Sequence, residues 1–229
     1  MLKNPILIRK VLGIVLILVT GCLNATTPDK NINSQHAIKN RQSSKTFVYE
    51  CSNTFSFVAR IENNTAWLFL PQKTLGLPQV PSGSGVKFSD SRILFWTKED
   101  TAILENDGAN YRNCINNRAK AIWEHAKLNG FDFRAVGNEP GWYLEIKNGD
   151  KIFFTSDYGE SRYEFDAHQP LTDQQKRTTI YQTNTDDKHL TVVIEGRRCR
   201  DSMSGEYFAT TVNVKLDQKK YQGCGRALH

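Results

Sequence analysis

The sequence predicts a mainly β protein: an N-terminal small antiparallel β-barrel, one linking helix, and a second antiparallel β domain. Three observations carry this. Short runs of aromatic and β-branched residues recur along both halves, divided by Asn, Gly and Pro turn residues. One segment, 116–129, has helical rather than alternating spacing of its apolar residues. Four cysteines beyond Cys22 divide two and two between the halves.

The N-terminus comes first. Lys3, Arg9 and Lys10 flank the apolar run 11–19, VLGIVLILV. A bilayer span needs about 20 apolar residues, so this run has the length of a signal-peptide core instead. Val19-Thr20-Gly21-Cys22 follows and resembles the bacterial lipobox, with Val19 where leucine is usual. The resemblance implies that residues 1–21 are a lipoprotein signal peptide. Cys22 would then open the mature chain and carry several acyl chains, a near-permanent membrane anchor. Leu23 rather than aspartate comes next, which by the same resemblance points to the outer membrane of a Gram-negative bacterium, facing the periplasm. Residues 22–45 are polar, with few large apolar side chains, and are expected to form a flexible tether.

The β pattern starts at Thr46. FVYEC (47–51), FSFVARI (55–61), TAWLFL (65–70), RILFW (92–96), TAILE (101–105) and residues 111–114 read as strands. Asn63-Asn64, Pro71, Pro78, Pro81-Ser82-Gly83-Ser84-Gly85 and Asp107-Gly108 divide them. Regular short strands with such turns predict a small barrel over residues 46–115. In the next segment Ala119, Ile122, Trp123 and Ala126 fall at helical spacing. Asn116 or Asn117 is placed to cap that helix and Gly130 to end it, giving a helix within 116–130 that links two domains or packs on the barrel. Over residues 131–229 the strand pattern resumes with FDFRAV (131–136), WYLEI (142–146), KIFFTSD (151–157), TTIY (178–181), LTVVIEG (190–196) and YFATTVNVKL (207–216).

Composition narrows the function. Hydrophobic residues make up 39%, and 12 Phe, 8 Tyr and 4 Trp can fill real cores. The formal charge of +6 falls to +3 once Lys3, Arg9 and Lys10 leave with the signal peptide. Neither half is then strongly basic, which argues against nucleic-acid binding. No Cys-x-x-Cys and no histidine pair at ligand spacing occurs, so no metal site is expected, and nothing calls for a cofactor. An even cysteine count in an oxidising compartment predicts two disulfides. Three pairings are possible; the one that stays within each half is expected, Cys51–Cys114 and Cys199–Cys224. Loop-closure entropy gives these about 4 and about 3.5 kcal/mol.

Residues 47–114 resemble the membrane-bound and periplasmic inhibitors of c-type lysozyme. The matching pieces run in order: Phe47-Val48-Tyr49-Glu50-Cys51, the apolar run Ala66-Trp67-Leu68-Phe69-Leu70, Leu77 through Phe88, Phe95-Trp96-Thr97-Lys98, Thr101-Ala102-Ile103-Leu104, and the closing Cys114. The stretch from Leu77 to Phe88 corresponds to a family loop with a Ser-Gly-x-x-Tyr signature, and Phe95 to Lys98 to the end of a Trp-x-Lys-Gly strand. The resemblance implies a barrel that plugs the lysozyme cleft, with Ser84, Gly85, Phe88 and Lys98 as lysozyme-binding residues and Ser84 and Lys98 as the inhibitory pair. Two positions depart from the family pattern. Phe88 stands where tyrosine is usual, and Glu99 stands where glycine follows the lysine. The loop is no phosphate cradle, since no Gly-Lys-Ser/Thr follows it. Because the domain is nearly neutral, attraction to a basic lysozyme would have to be local rather than by long-range steering.

Residues 131–229 resemble uncharacterised bacterial envelope domains, through Phe133 to Trp142, Cys199 to Tyr207 and Tyr221 to Leu228. That resemblance names no chemistry. Glu139, Asp201 and Glu206 are carboxylates near turns, and His168 and His189 are isolated. Ser202 and Ser204 lack a Gly-x-Ser-x-Gly frame. A non-enzymatic binding role is therefore expected. The rival readings are an envelope binding lipoprotein that reuses the barrel without inhibiting, and a hydrolase centred on Glu139 or Asp201.

Overall fold

The structure is a computed structural model and describes residues 44–229. The leader, Cys22 and nearly all of the expected tether lie outside the described residues; Lys45 already opens the first strand. Eight strands follow: β1 (Lys45–Glu50), β2 (Ser56–Glu62), β3 (Thr65–Phe69), β4 (Thr74–Val80), β5 (Val86–Ser89), β6 (Ile93–Lys98), β7 (Thr101–Asn106) and β8 (Ala109–Asn116). Each pairs antiparallel with the next, and β8 returns to β1, so the sheet closes into an up-and-down barrel. Asn63 and Asn64 both take positive φ, as do Asp107 and Gly108. These two-residue connections are tight hairpins of the twist that matches paired strands.

Alternation decides which side chains enter the barrel. Phe57 and Ala59 on β2, Ala66 and Leu68 on β3, Phe95 on β6, and Ala102 and Leu104 on β7 are all buried. An eight-stranded barrel has room for side chains and little else. Here Tyr49, Phe57, Phe88 and Phe95 fill it, their neighbouring rings 5.3–5.9 Å apart. A disulfide between Cys51 and Cys114 joins the chain just after β1 to β8.

Two sequence expectations are corrected here. Residues 77–88 are mostly strand; only residues 81–85 form the loop between β4 and β5. Pro78 is tolerated inside β4 because it faces Thr65, the first residue of β3, at the end of that ladder. Helix α1 spans Arg118–Leu128, and Asn117 caps it by accepting from the Lys120 amide at 3.1 Å. Its buried face is Ala121, Trp123 and Ala126, while Ile122 is half exposed. The face is rotated because the helix packs on two partners. Thr46 and Glu50 of β1 bond to His125 and Lys120, and Trp123 packs on Phe208 of the second sheet.

The rest of the chain forms β9 (Phe133–Asn138), β10 (Gly141–Lys147), β11 (Lys151–Ser156), β12 (Ser161–Asp166), β13 (Leu171–Asp173), β14 (Thr178–Asn184), β15 (His189–Glu195), β16 (Cys199–Arg200), β17 (Tyr207–Phe208), β18 (Thr210–Leu216) and β19 (Lys219–Ala227). Nine of these make one antiparallel sheet in the order β12-β11-β10-β9-β19-β18-β15-β14-β13, and β16 pairs with β17 alone. The sheet wraps a core that includes Trp142, Leu144, Ile146, Phe154, Phe165 and Tyr221. β12, β13, β16 and β19 were not evident as strands in the sequence. β19 is rich in glycine and lysine (KKYQGCGRA), residues that pack poorly on a pleated surface and hide the alternation. The described residues belong to one compact unit. Among them no helix is long and apolar enough to cross a membrane.

Candidate functional site

The loop 81–85 and the β6–β7 turn share one rim of the barrel. Register brings them together: Val86 pairs with Thr97, so the next residue out on each strand, Gly85 and Lys98, stand side by side. Gly85 takes φ +66°, and a Cβ there would lie 2.6 Å from the Thr97 carbonyl and 3.1 Å from Lys98 Cβ. Only glycine lets the backbone close this tightly in that conformation. The Ser84 carbonyl then accepts from Trp96 Nε1 at 2.9 Å and from Ser82 Oγ at 2.7 Å. Two donors thus hold the turn while the exposed Ser84 hydroxyl has no hydrogen-bond partner among the described residues.

Lys98 is exposed, and neither it nor Glu99 has an ion-pair partner among the described residues. Glu99 takes φ +54°, in the left-handed region that favours glycine. Asp100 is committed elsewhere: hydrogen bonds from Arg118 and then Asn116 hold its carboxyl below the usual range. Those contacts tie the turn to the end of β8. Beneath the rim Thr97 is buried, and its hydroxyl donates to the Thr101 carbonyl at 3.1 Å. The 2.6 Å contact with Tyr49 must therefore have the tyrosine hydroxyl as donor. Burial pushes the Tyr49 phenol up to about 12, so it stays protonated at physiological pH.

Two hollows adjoin the rim. One of about 740 Å3 is lined by residues that include Lys98, Glu99, Asp100, Glu62 and Arg118. A smaller one of about 400 Å3 is lined by residues that include Ser82 and Lys87. Asn64, Gln79, Gly85 and Val86 line both.

Of the expected binding residues, Ser84, Gly85 and Lys98 therefore meet on one rim. Phe88 does not join them. It is fully buried and stacks on Phe95 in the barrel core, because alternation along β5 turns it inward. Its place in the site is corrected to that of support for the strand below the loop. Trp96 was missed as a site residue. It stood in the quoted Phe95-Trp96-Thr97-Lys98 stretch, but only the fold shows its indole reaching a carbonyl twelve residues back in sequence.

The second sheet's candidates do not converge. Asp201 is buried; burial raises its pKa, but bonds from the Ser204 amide and hydroxyl, Asn138 and the Met203 amide outweigh this and lower it. Its oxygens are used to shape the 201–206 turn. Glu206 pairs with Arg226 at 3.2 Å, and His168 and His189 are exposed. Cys199 is disulfide-bonded to Cys224. Among the described residues no cluster of His, Cys, Asp or Glu could hold a metal ion.

Comparison with known proteins bears on the barrel. The family model described as membrane-bound lysozyme-inhibitor of c-type lysozyme matches residues 49–125. That span runs from within β1 into α1. A relative from Yersinia enterocolitica serotype O:8 / biotype 1B, the membrane-bound lysozyme inhibitor of C-type lysozyme, is 38% identical over 64 residues. The aligned stretch covers 28% of this chain and 55% of the relative, so the chain spans about half the relative's length. No solved structure matches. Over residues 49–125, then, this chain is similar to the inhibitors of c-type lysozyme, and the second sheet lies beyond that similarity.

Proposed function

We propose that this chain inhibits c-type lysozyme by inserting the rim that bears Ser84 and Lys98 into the enzyme's catalytic cleft. The observation that carries the reading is the juxtaposition of Gly85 with Lys98 across the end of the β5–β6 ladder. On this reading the Ser84 hydroxyl and the Lys98 ammonium, neither with a side-chain partner among the described residues, act together from one rim. The target's chemistry fits. Lysozyme works with two carboxyl groups on either side of the scissile bond, one protonated and one ionised. The Lys98 ammonium pairs with the ionised group, and the Ser84 hydroxyl bonds to the other. In a cleft emptied of water such contacts are worth more than on an open surface. No reaction is required of the inhibitor; occupancy excludes the polysaccharide.

The same reading makes the chain an outer-membrane lipoprotein facing the periplasm, with lipid on Cys22. The lipobox resemblance supports that, and the matched relative's name speaks of membrane binding. Radiolabelled palmitate should enter the wild-type chain and not Cys22→Ser.

The decisive test is an assay of the chain against a hen-type c-type lysozyme. Inhibition is expected at micromolar concentration or below. Lys98→Ala should weaken it by about ten- to a hundredfold, the scale of losing a charge-assisted hydrogen bond, and Ser84→Ala by about two- to tenfold, the scale of losing a neutral one. Undiminished potency in both variants would reject the insertion geometry. One observation favours a second reading, a non-inhibitory envelope binding protein: Glu99 sets an unpaired negative charge beside Lys98. On that reading the wild-type chain leaves lysozyme fully active, while Glu99→Gly gains inhibition.

A further inference from the structure

Residues 119–229 carry 16 basic and 16 acidic side chains, yet one stretch does not share the balance. Glu195-Gly196-Arg197-Arg198-Cys199-Arg200 sets three arginines within four residues. All three are exposed and line one cleft of about 530 Å3, together with Asn138 and Ser202. The cleft lies on the second sheet, between the β9–β10 turn, β16 and β19.

The acids nearby offset part of this charge without pairing to Arg198 or Arg200. Glu195 pairs with Arg197 at 3.2 Å. Asp201 also lines the cleft, but its carboxylate accepts from Ser204, Met203 and Asn138. With Glu139 the lining sets three arginines against two carboxylates, and neither Arg198 nor Arg200 has an ion pair among the described residues.

These two guanidinium groups are also held in place. Arg198 lies 3.9 Å from the centre of the Tyr207 ring and Arg200 5.8 Å from the same ring. Between them Cys199 is bonded to Cys224, which ties β16 to β19. Stacking occupies the flat face of the Arg198 guanidinium and leaves its N–H edge free for a bidentate acceptor, while Arg200, whose Nε donates to the Gly205 carbonyl at 3.4 Å, keeps its two terminal nitrogens. Crowding like charges costs stability, which a bound anion offsets.

We propose that this cleft binds oxyanions, with the forks of Arg198 and Arg200 gripping phosphate or carboxylate groups of a ligand. Ser202 stands on the same lining, and its hydroxyl, which accepts from Asn138 Nδ2 at 3.0 Å, keeps its own proton for such a group. The site is separate from the Ser84–Lys98 rim and does not depend on lysozyme binding.

Titration calorimetry of the full chain in neutral detergent tests this, with pyrophosphate, citrate and a short-chain phosphatidylglycerol as probes. Saturable binding of at least one is expected in the millimolar range or tighter, weakening as salt is raised. The variant Arg198→Ala/Arg200→Ala should bind about tenfold more weakly, the loss of charge-assisted contacts. A control, Lys219→Ala/Lys220→Ala, removes equal charge from the same sheet and should bind as wild type. Near-ultraviolet circular dichroism of each variant checks that the fold is kept, and Arg198→Lys/Arg200→Lys, which keeps charge and loses the forks, should fall in between. Binding of pyrophosphate or citrate assigns a solute or polymer ligand; binding of the lipid alone, with the same arginine dependence, assigns a headgroup. The proposal is overturned if none of the three binds, or if the arginine and lysine variants lose affinity equally.

Discussion

At the residue scale the candidate site depends on two positions of left-handed backbone. Gly85 fits its position, and replacing it should be costly. Gly85→Ala would force a Cβ to within 2.6 Å of the Thr97 carbonyl at φ +66°, whereas a Cβ on Gly83 meets nothing within 4 Å. Gly85→Ala is expected to lower stability by about 1–3 kcal/mol and to weaken lysozyme inhibition, with Gly83→Ala near wild type in both. Thermal unfolding and inhibition curves on the pair check this; equal behaviour would mean that the close approach is unimportant. Glu99 is the opposite case, a side chain where glycine suits the backbone. Glu99→Gly should keep or raise stability, by up to about 1 kcal/mol, and tighten inhibition by removing a charge that repels a carboxylate. Weaker inhibition in that variant would show Glu99 to be a contact residue. Both residues are legible in the sequence, but their φ values and the Thr97 contact follow from the fold.

At the element scale helix α1 is a clasp. One side bonds to β1 and the other buries Trp123 against Phe208. His125 sits in the clasp with its protonation state fixed by neighbours. Arg60 donates to Asn129 Oδ1 at 2.9 Å, which orients the amide so that its nitrogen donates to His125 Nε2. The imidazole is therefore neutral, with its proton on Nδ1, which donates to Thr46 Oγ1 at 3.0 Å. Burial lowers the His125 pKa, the Arg60 charge adds to this, and Glu145 and Arg134 pull in opposite directions. An unfolded histidine titrates near 6.5, so as pH falls below about 6.5 the unfolded chain takes up the proton first. Stability from this group is fully present above that pH and is lost on acidification through the lower folded pKa. Melting temperature should decline as pH falls below about 6.5, more steeply in wild type than in His125→Gln. Identical slopes would remove His125 as the cause. This network is not legible in the sequence, because Thr46 and Arg60 are polar residues far along the chain from the His125–Asn129 pair they meet.

At the scale of the whole molecule, two disulfides serve two different surfaces. Cys51–Cys114 holds the barrel closed, across a sequence separation of 63 residues. Cys199–Cys224 spans 25 and sits under the arginine cleft. Cys51→Ser/Cys114→Ser should cost about 4 kcal/mol and impair inhibition, while Cys199→Ser/Cys224→Ser should cost slightly less and leave inhibition near wild type. Calorimetric unfolding with a lysozyme assay separates the two; inhibition lost equally in both would mean that the second sheet is needed for the barrel's action.

The sequence by itself determined what repeats or what is local. Alternating apolar residues made the barrel and most of the second sheet legible, Asn-Asn and Asp-Gly marked hairpins, and Asn116 or Asn117 with Gly130 bracketed the helix. It also ordered the pieces from Phe47 to Cys114 that resemble the lysozyme inhibitors. Only the tertiary structure decided what depends on register and closure. Pairing of Val86 with Thr97 brought Ser84 and Lys98 to one rim, the inward turn of β5 removed Phe88 from it, and two packing partners rotated the buried face of α1. The physical reason is that periodicity fixes which way a side chain points within its own strand. Which neighbour it meets is set by pairing across the barrel, and that is a property of the closed sheet.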